Sequence, residues 1–268
     1  MGVAPLEDCY EVYAVQYGHH DRNASANFVG GDPHDRPMPL DYFVWAIVGP
    51  DRTYVLDTGF DAAMGAKRNR QLVRPVNEGL KTIGIDAATV SDVIISHMHF
   101  DHAGNHAMFP QARYHLQDAE MGYCTGRCMC HPSLSHAYEL GDVQAMVGRL
   151  FDGRLQFHDG DSQLAPGLTL HRVGGHTRGL QVVRVKTKRG WVVLGSDAAH
   201  LYANFEQARP FPSFDSMTDM LFGFDRMREL ASSENHIIPG HDPLVLTRYP
   251  LVRADAAGVV RLDVDPAL

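Results

Sequence analysis

The sequence predicts an α/β fold built as one domain, and three observations predict it. Short apolar runs, Val93-Ile94-Ile95, Trp191-Val192-Val193-Leu194 and Ile237-Ile238, are bounded by small or turn-forming residues, as buried strands are. Between positions 215 and 230, Met217, Met220, Leu221, Phe224, Met227 and Leu230 recur at helical spacing, which marks a packing face. The chain has 268 residues, 44% hydrophobic and 21% charged, enough for a core of sandwiched sheets and ordinary for a globular protein.

In chain order, the alternation predicts strands over 11–16, 41–48 and 53–57, a helix over 69–83 and a strand over 93–96. Strand and helix then alternate irregularly, with no internal repeat or linker. The mixed polarity of 118–150 suits a helical cap over the site. That stretch holds Cys124, Cys128 and Cys130, too closely placed for a complete zinc finger and read as reduced residues of a loop or helix. Cys9 is read as buried.

The densest chemistry follows the strand at 93–96. Ser96-His97-Met98-His99-Phe100-Asp101-His102 sets three imidazoles and a carboxylate within six positions, ligand types that suit zinc and its neighbours. His97 and His99 share a parity and can face one ion, while Asp101 and His102 lie further round the turn and can face a second. Two metals need more ligands, and three strand ends offer them. His176 follows Gly174-Gly175, whose freedom lets the backbone approach a buried centre. Asp197 ends the run from Trp191, where a carboxylate can bridge two cations. His241 follows Pro239-Gly240 beyond another short apolar run.

With these residues in view, the chain resembles the metallo-β-lactamase superfamily. The family pattern His-x-His-x-Asp-His, then His, Asp and His, matches His97, His99, Asp101, His102, His176, Asp197 and His241. The resemblance implies a four-layer αββα sandwich with metals at one edge between the sheets. It implies that His97, His99 and His176 hold one metal, Asp101, His102 and His241 the other, and Asp197 both. Asp57, ending Tyr54-Val55-Leu56, resembles the family's aspartate that orients a ligating histidine; a plain turn residue before Gly59 is the other reading. The ions expected are two divalent metals per chain, with zinc first and manganese, iron or cobalt open to the same donors.

A water between two such cations loses a proton near neutral pH and becomes a nucleophile, so the implied chemistry is hydrolysis. Asp101 can pass a proton to the departing alkoxide while it coordinates. Within the resemblance, the short stretch after His241 points away from thioesterases with an appended helical domain. His99 points away from the flavodiiron branch. The branch that opens small lactones remains, with N-acyl homoserine lactones first and a quorum-quenching role implied. Another cyclic ester or amide, such as a pyridoxolactone-like intermediate, is the alternative, and a non-catalytic ligand-binding protein the second.

The chain departs from several homoserine lactone lactonases at His200, where they carry tyrosine. An imidazole can donate to a developing oxyanion, so His200 is a candidate catalytic group, and a partly exposed surface histidine is the other reading. From 200 to 214, Tyr202, Phe205 and Phe211 are candidate substrate contacts, or else pack into the core. His19 and His20, on a loop from 18 to 28, are read as solvated. A net charge of −8 with no basic run argues against nucleic acid. No apolar stretch nears the roughly 20 residues that span a bilayer, and the start lacks a secretion signal, so the chain is read as cytoplasmic. The expected partner is a small lactone, and a homodimer stays open.

Overall fold

The computed structural model describes residues 9–267. A first sheet collects β1 (Glu11–His20), β2 (Leu40–Val48), β3 (Thr53–Leu56), β4 (Gln71–Leu72), β5 (Asp92–Ile94), β6 (Arg113–Gln117) and β7 (Leu155–His158). A second holds β8 (Ser162–Ala165), β9 (Leu168–Arg172), β10 (Gln181–Thr187), β11 (Gly190–Leu194) and β12 (Ile237–Ile238). The last strand, β13 (Val259–Arg261), returns to the first sheet beside β1.

Strand β2 shows why the sheets stack. Successive side chains point to opposite faces of a strand, so a strand buried on both sides reads as a continuous apolar run. Phe43, Trp45 and Ile47 enter the core shared with Leu170, Val183 and Val193 of the second sheet. Tyr42, Val44 and Ala46 enter a second core, roofed by Leu80 and by Val143 and Met146 of the helix Leu140–Phe151. The helix Met217–Leu230 closes the far side, burying Met220, Phe224 and Met227 against the second sheet. Helix, sheet, sheet and helix make the four layers.

Local signals moved three boundaries. The helix expected over 69–83 is helical only at Val76–Lys81; a separate helix, Ala62–Arg68, ends before it, and Gln71–Leu72 between them form β4. Asn69 ends the earlier helix in the left-handed conformation (φ 53°), and Pro75 starts the later one. Strand β1 runs on to His20 through an irregularity between Gln16 and Gly18, so His19 and His20 are half-buried strand residues, not a solvated loop. His19 Nδ1 lies 2.6 Å from Asp41 Oδ1. Strand β3 stops at Leu56, because Asp57 turns to φ 63°.

Residues 118–150 form the helices Asp118–Cys124, Pro132–Ser135 and Leu140–Phe151. Cys124 is buried, Cys128 half-buried and Cys130 exposed, all as free thiols. Cys9 is half-buried where full burial was expected. No helix among the described residues is long and apolar enough to cross a membrane.

Strand directions place the site. Strands β3 and β5 are parallel in the first sheet, β11 and β12 are parallel in the second, and β9 and β11 both run antiparallel to β10. The C-terminal ends of β3, β5, β9, β11 and β12, each followed by one of the singled-out residues, therefore open on one edge. Gln181 clamps the two sheets there, its amide donating to the carbonyls of Ile95 (2.8 Å) and His115 (3.2 Å).

Candidate metal centre

The turn after β5 separates the first four candidate ligands into two directions. His99 is extended (φ −70°, ψ 155°), and its carbonyl accepts from the His102 and Ala103 N–H groups as the helical turn Phe100–Ala103 begins. His97 and His99 therefore project together before the turn, and Asp101 and His102 project from within it.

Three ring nitrogens converge at one point. His99 Nδ1 lies 3.0 Å from His97 Nε2 and 2.9 Å from His176 Nε2. Burial, with the neighbouring imidazoles behind it, lowers His97 and His99 well below the ordinary histidine range, and burial lowers His176 too. Three neutral imidazoles aiming lone pairs at one another form a repulsive arrangement that a cation relieves.

The second group is Asp101, His102 and His241. Asp101 Oδ2 is 3.5 Å from His102 Nε2 and 3.8 Å from His241 Nε2. Asp197 stands between the groups. Its Oδ2 lies 3.3 Å from His176 Nε2, and its Oδ1 lies 3.3 Å from His102 Nε2 and 2.9 Å from His241 Nε2. Burial would lower His102, yet Asp197, Asp101 and Asp57 outweigh it and raise the ring well above its usual value. A divalent cation competes for the position of that proton. His102 Nε2 and Asp197 Oδ1 are also buried without a hydrogen-bond partner, as metal-ligating atoms would be. The donor set fits two divalent ions.

Four of the candidate ligands are held from behind, through the other ring nitrogen or the backbone. His176 Nδ1 donates to the Ser213 carbonyl (2.7 Å) and His241 Nδ1 to the Asp41 carbonyl (2.8 Å). His102 Nδ1 lies 2.7 Å from Asp57 Oδ2, and Asp57 also accepts from the Ser96 N–H (2.7 Å), the Ser96 hydroxyl (2.8 Å) and the Ser196 hydroxyl (3.2 Å). The Tyr17 hydroxyl donates to the Asp101 carbonyl (2.6 Å). Such outer partners set tautomer and orientation.

Backbone strain accompanies this order. Asp57 and Ser196 are left-handed (φ 63° and 43°), a conformation that costs a non-glycine residue energy and is kept where the surroundings impose it. Gly240 lies so close to the bridge that a Cβ there would stand 2.6 Å from the Ser196 carbonyl oxygen and 2.8 Å from Asp197 Oδ1. Gly240→Ala should therefore push Asp197 out of place and weaken metal binding about tenfold or more, read by titration against a competing chelator; unchanged affinity would refute the steric argument.

One buried residue with no mark in the sequence ties two ligand loops together. Glu120 is wholly buried and accepts from the Met98 N–H (2.9 Å), the Thr177 hydroxyl (2.6 Å), the Gly179 N–H (3.1 Å) and the Tyr138 hydroxyl (3.1 Å). It fastens the loop of His97 to that of His176. It sits in a helix of mixed polarity, where no spacing separates it from an ordinary surface glutamate.

His200 is 9% exposed, not a surface residue; its Nε2 lies 3.0 Å from Asp197 Oδ2, and its ring stacks on Phe211 at 3.6 Å and 16°. A cleft of about 420 Å³ over the cluster is lined by His99, Asp101, His176, Asp197, His200 and His241, with Arg22, Arg70 and His136 at its walls. Tyr202 and Phe205 do not line it: both pack into the core built on the second sheet, and Phe211 meets the site through the rings of His200 (3.6 Å) and His176 (5.3 Å). Of the two readings of that segment, the structure shows core packing, because burying large rings on the second sheet removes more apolar surface from water than a cleft wall would.

A model of the metallo-beta-lactamase superfamily matches residues 38–242. An N-acyl homoserine lactonase from a Bacillus species is 32% identical over 165 residues, 61% of this chain and 60% of that protein. The match thus spans about 60% of that relative's length. The crystal structure of a quorum-quenching N-acyl homoserine lactone lactonase superposes with a TM-score of 0.73 at 22% identity, covering 87% of this chain and 92% of that one. AidC, a dizinc quorum-quenching lactonase, superposes with a TM-score of 0.70 at 15% identity, covering 98% and 99%. At these identities the structural likeness speaks for the fold.

Proposed function

The chain belongs to the metallo-beta-lactamase superfamily, whose model spans residues 38–242 of it, and on that footing we propose that it is a dinuclear metal-dependent hydrolase that opens a small lactone ring. The observation that carries the reading is Asp197, one oxygen of which faces His176 while the other faces His102 and His241. His97, His99 and His176 would hold one divalent ion, Asp101, His102 and His241 the other, and Asp197 both, with zinc the first candidate. Bound there, two such ions supply activation of water at neutral pH and polarisation of the ester carbonyl.

The chain's own residues have the remaining work. Asp101 stands at the rim of the cluster, where its carboxyl can carry a proton to the departing ring oxygen. Burial lowers His200 to about 4, so its ring is neutral and has one N–H; with Asp197 taken up by the ions, that N–H would be released from the carboxylate and could meet the carbonyl oxygen as charge builds there. Ring opening adds one water across the acyl carbon–oxygen bond to give a hydroxy acid, which at neutral pH releases one proton. N-acyl homoserine lactones are the first substrates to try, because the curated relative at 32% identity carries that name.

Metal analysis of the purified protein with a proton-release assay over a panel of lactones tests the reading. The expected result is about two metals per chain and lactone opening that Asp101→Asn lowers roughly a hundredfold, since the variant loses both a charged ligand and the proton carrier. Two metals without turnover of any lactone would leave a metal centre and refute the ring-opening activity.

A further inference from the structure

Two arginines face the cleft over the candidate ligand cluster, and among the described residues no carboxylate pairs with either. Arg22 and Arg70 are both half-buried and both line that cleft. Arg22 donates to the Ala26 carbonyl, and Arg70 donates to the Tyr42 hydroxyl and to the carbonyls of Arg68 and Asn69. These partners are neutral. The chain has 32 acidic residues against 24 basic ones, so an acidic partner was within the means of the sequence.

Unpaired arginines are ordinary where water surrounds them, but two at one half-buried wall repel each other and lose hydration together. Burial lowers the Arg22 value, and the Arg70 charge acts in the same direction. His20 lies 3.2 Å from Arg70 Nη1, and burial with both guanidinium charges pushes it to about 4. The wall therefore presents two cations and a neutral imidazole. Arg22 also lines the adjoining space with Tyr123, Ser133 and Phe214, so it stands where two parts of one opening meet. Tyr202 and Phe205 are spent in the core, and the rings that do line the opening are Tyr42 and Phe100 over the cluster and Tyr123 and Phe214 in the adjoining space, so the guanidinium pair is the feature that favours an anionic substrate.

We infer that the cleft is shaped for a lactone bearing a carboxylate, gripped by Arg22 and Arg70 while the ring carbonyl lies at the His/Asp cluster, in preference to a neutral acyl-chain lactone. The inference rests on the ring-opening reading and narrows its substrate class. A guanidinium forms paired, charge-assisted hydrogen bonds with a carboxylate, and in a half-buried wall these discriminate strongly against a neutral group. Arg70 also holds Tyr42, which packs on His241 at 4.8 Å, so Arg22 is the residue to vary.

The test compares γ-butyrolactone with its γ-carboxylate on the metal-loaded protein. The carboxylate should be opened with a kcat/KM roughly tenfold to a hundredfold higher, an advantage that Arg22→Gln removes and Arg22→Lys keeps in part. Equal kcat/KM values in the wild type would overturn the inference and leave the ring-opening reading standing. If neither ring opens, the lactone panel decides the ring-opening reading, and calorimetry still decides the cationic wall. Glutarate should bind at least about tenfold tighter than butyrate, with the difference lost in Arg22→Gln. Equal binding of the two acids, or an advantage for glutarate that survives in Arg22→Gln, would overturn it.

Discussion

Asp197→Ala should leave a folded protein that retains less than one metal per chain and hydrolyses lactones at least about a thousandfold more slowly. The size of the effect follows from position. Asp197 is 3% exposed and places its two oxygens within 3.3 Å of nitrogens in both ligand groups. Its carboxylate is held well below its usual value, because His241 and His102 outweigh burial, so it is charged at any working pH. Removing it takes one negative charge from a buried cluster of imidazoles and leaves two cations without the anion between them. It also frees the His200 ring, whose Nε2 has Asp197 Oδ2 as its partner. Metal analysis after gel filtration, with lactone turnover on the same sample, reads both effects. Full occupancy in the variant would show that the two groups bind metal independently and would refute the bridge.

Asp57→Asn should cost about tenfold to a hundredfold in metal affinity, although Asp57 belongs to neither ligand group. Asparagine tolerates the left-handed backbone at φ 63° and keeps the volume, so the loss isolates the carboxylate. That carboxylate serves His102 Nδ1, both donors of Ser96 and the Ser196 hydroxyl, joining the ends of β3, β5 and β11. An amide group facing these donors leaves at least one buried donor unsatisfied, a cost of about 1–3 kcal/mol in stability. Chelator competition gives the first quantity and urea denaturation of the metal-stripped protein the second. A variant that lost stability but bound metal as before would assign Asp57 to the scaffold alone.

Much of the site is legible locally. His97, His99, Asp101 and His102 sit on one turn, so spacing alone separates them into two directions, and the extended His99 followed by a helical turn does so in three dimensions. His176, Asp197 and His241 are marked by apolar runs that end in glycine or serine beside a ligand type, a pattern that strand geometry and close backbone approach impose. The long helix from 217 to 230 follows its spacing because its apolar face packs on a sheet. The helix expected over 69–83 shrank to Val76–Lys81, because Asn69 ends the preceding helix, Gln71–Leu72 pair with β1 and Pro75 sets the start of the next.

By itself the sequence determined the candidate ligand types, their grouping along the chain and the strands that carry them, because each depends on neighbours within a few positions. Only the tertiary structure decided which distant groups meet. Asp57 reaches His102 because β3 and β5 are parallel neighbours; Glu120 joins two loops through a helix with no distinguishing pattern. The aromatics after the bridge went to the core, and Arg22 and Arg70 to the cleft. Burial and charge pairing depend on what the rest of the chain places alongside a residue, and no local window of sequence contains that information.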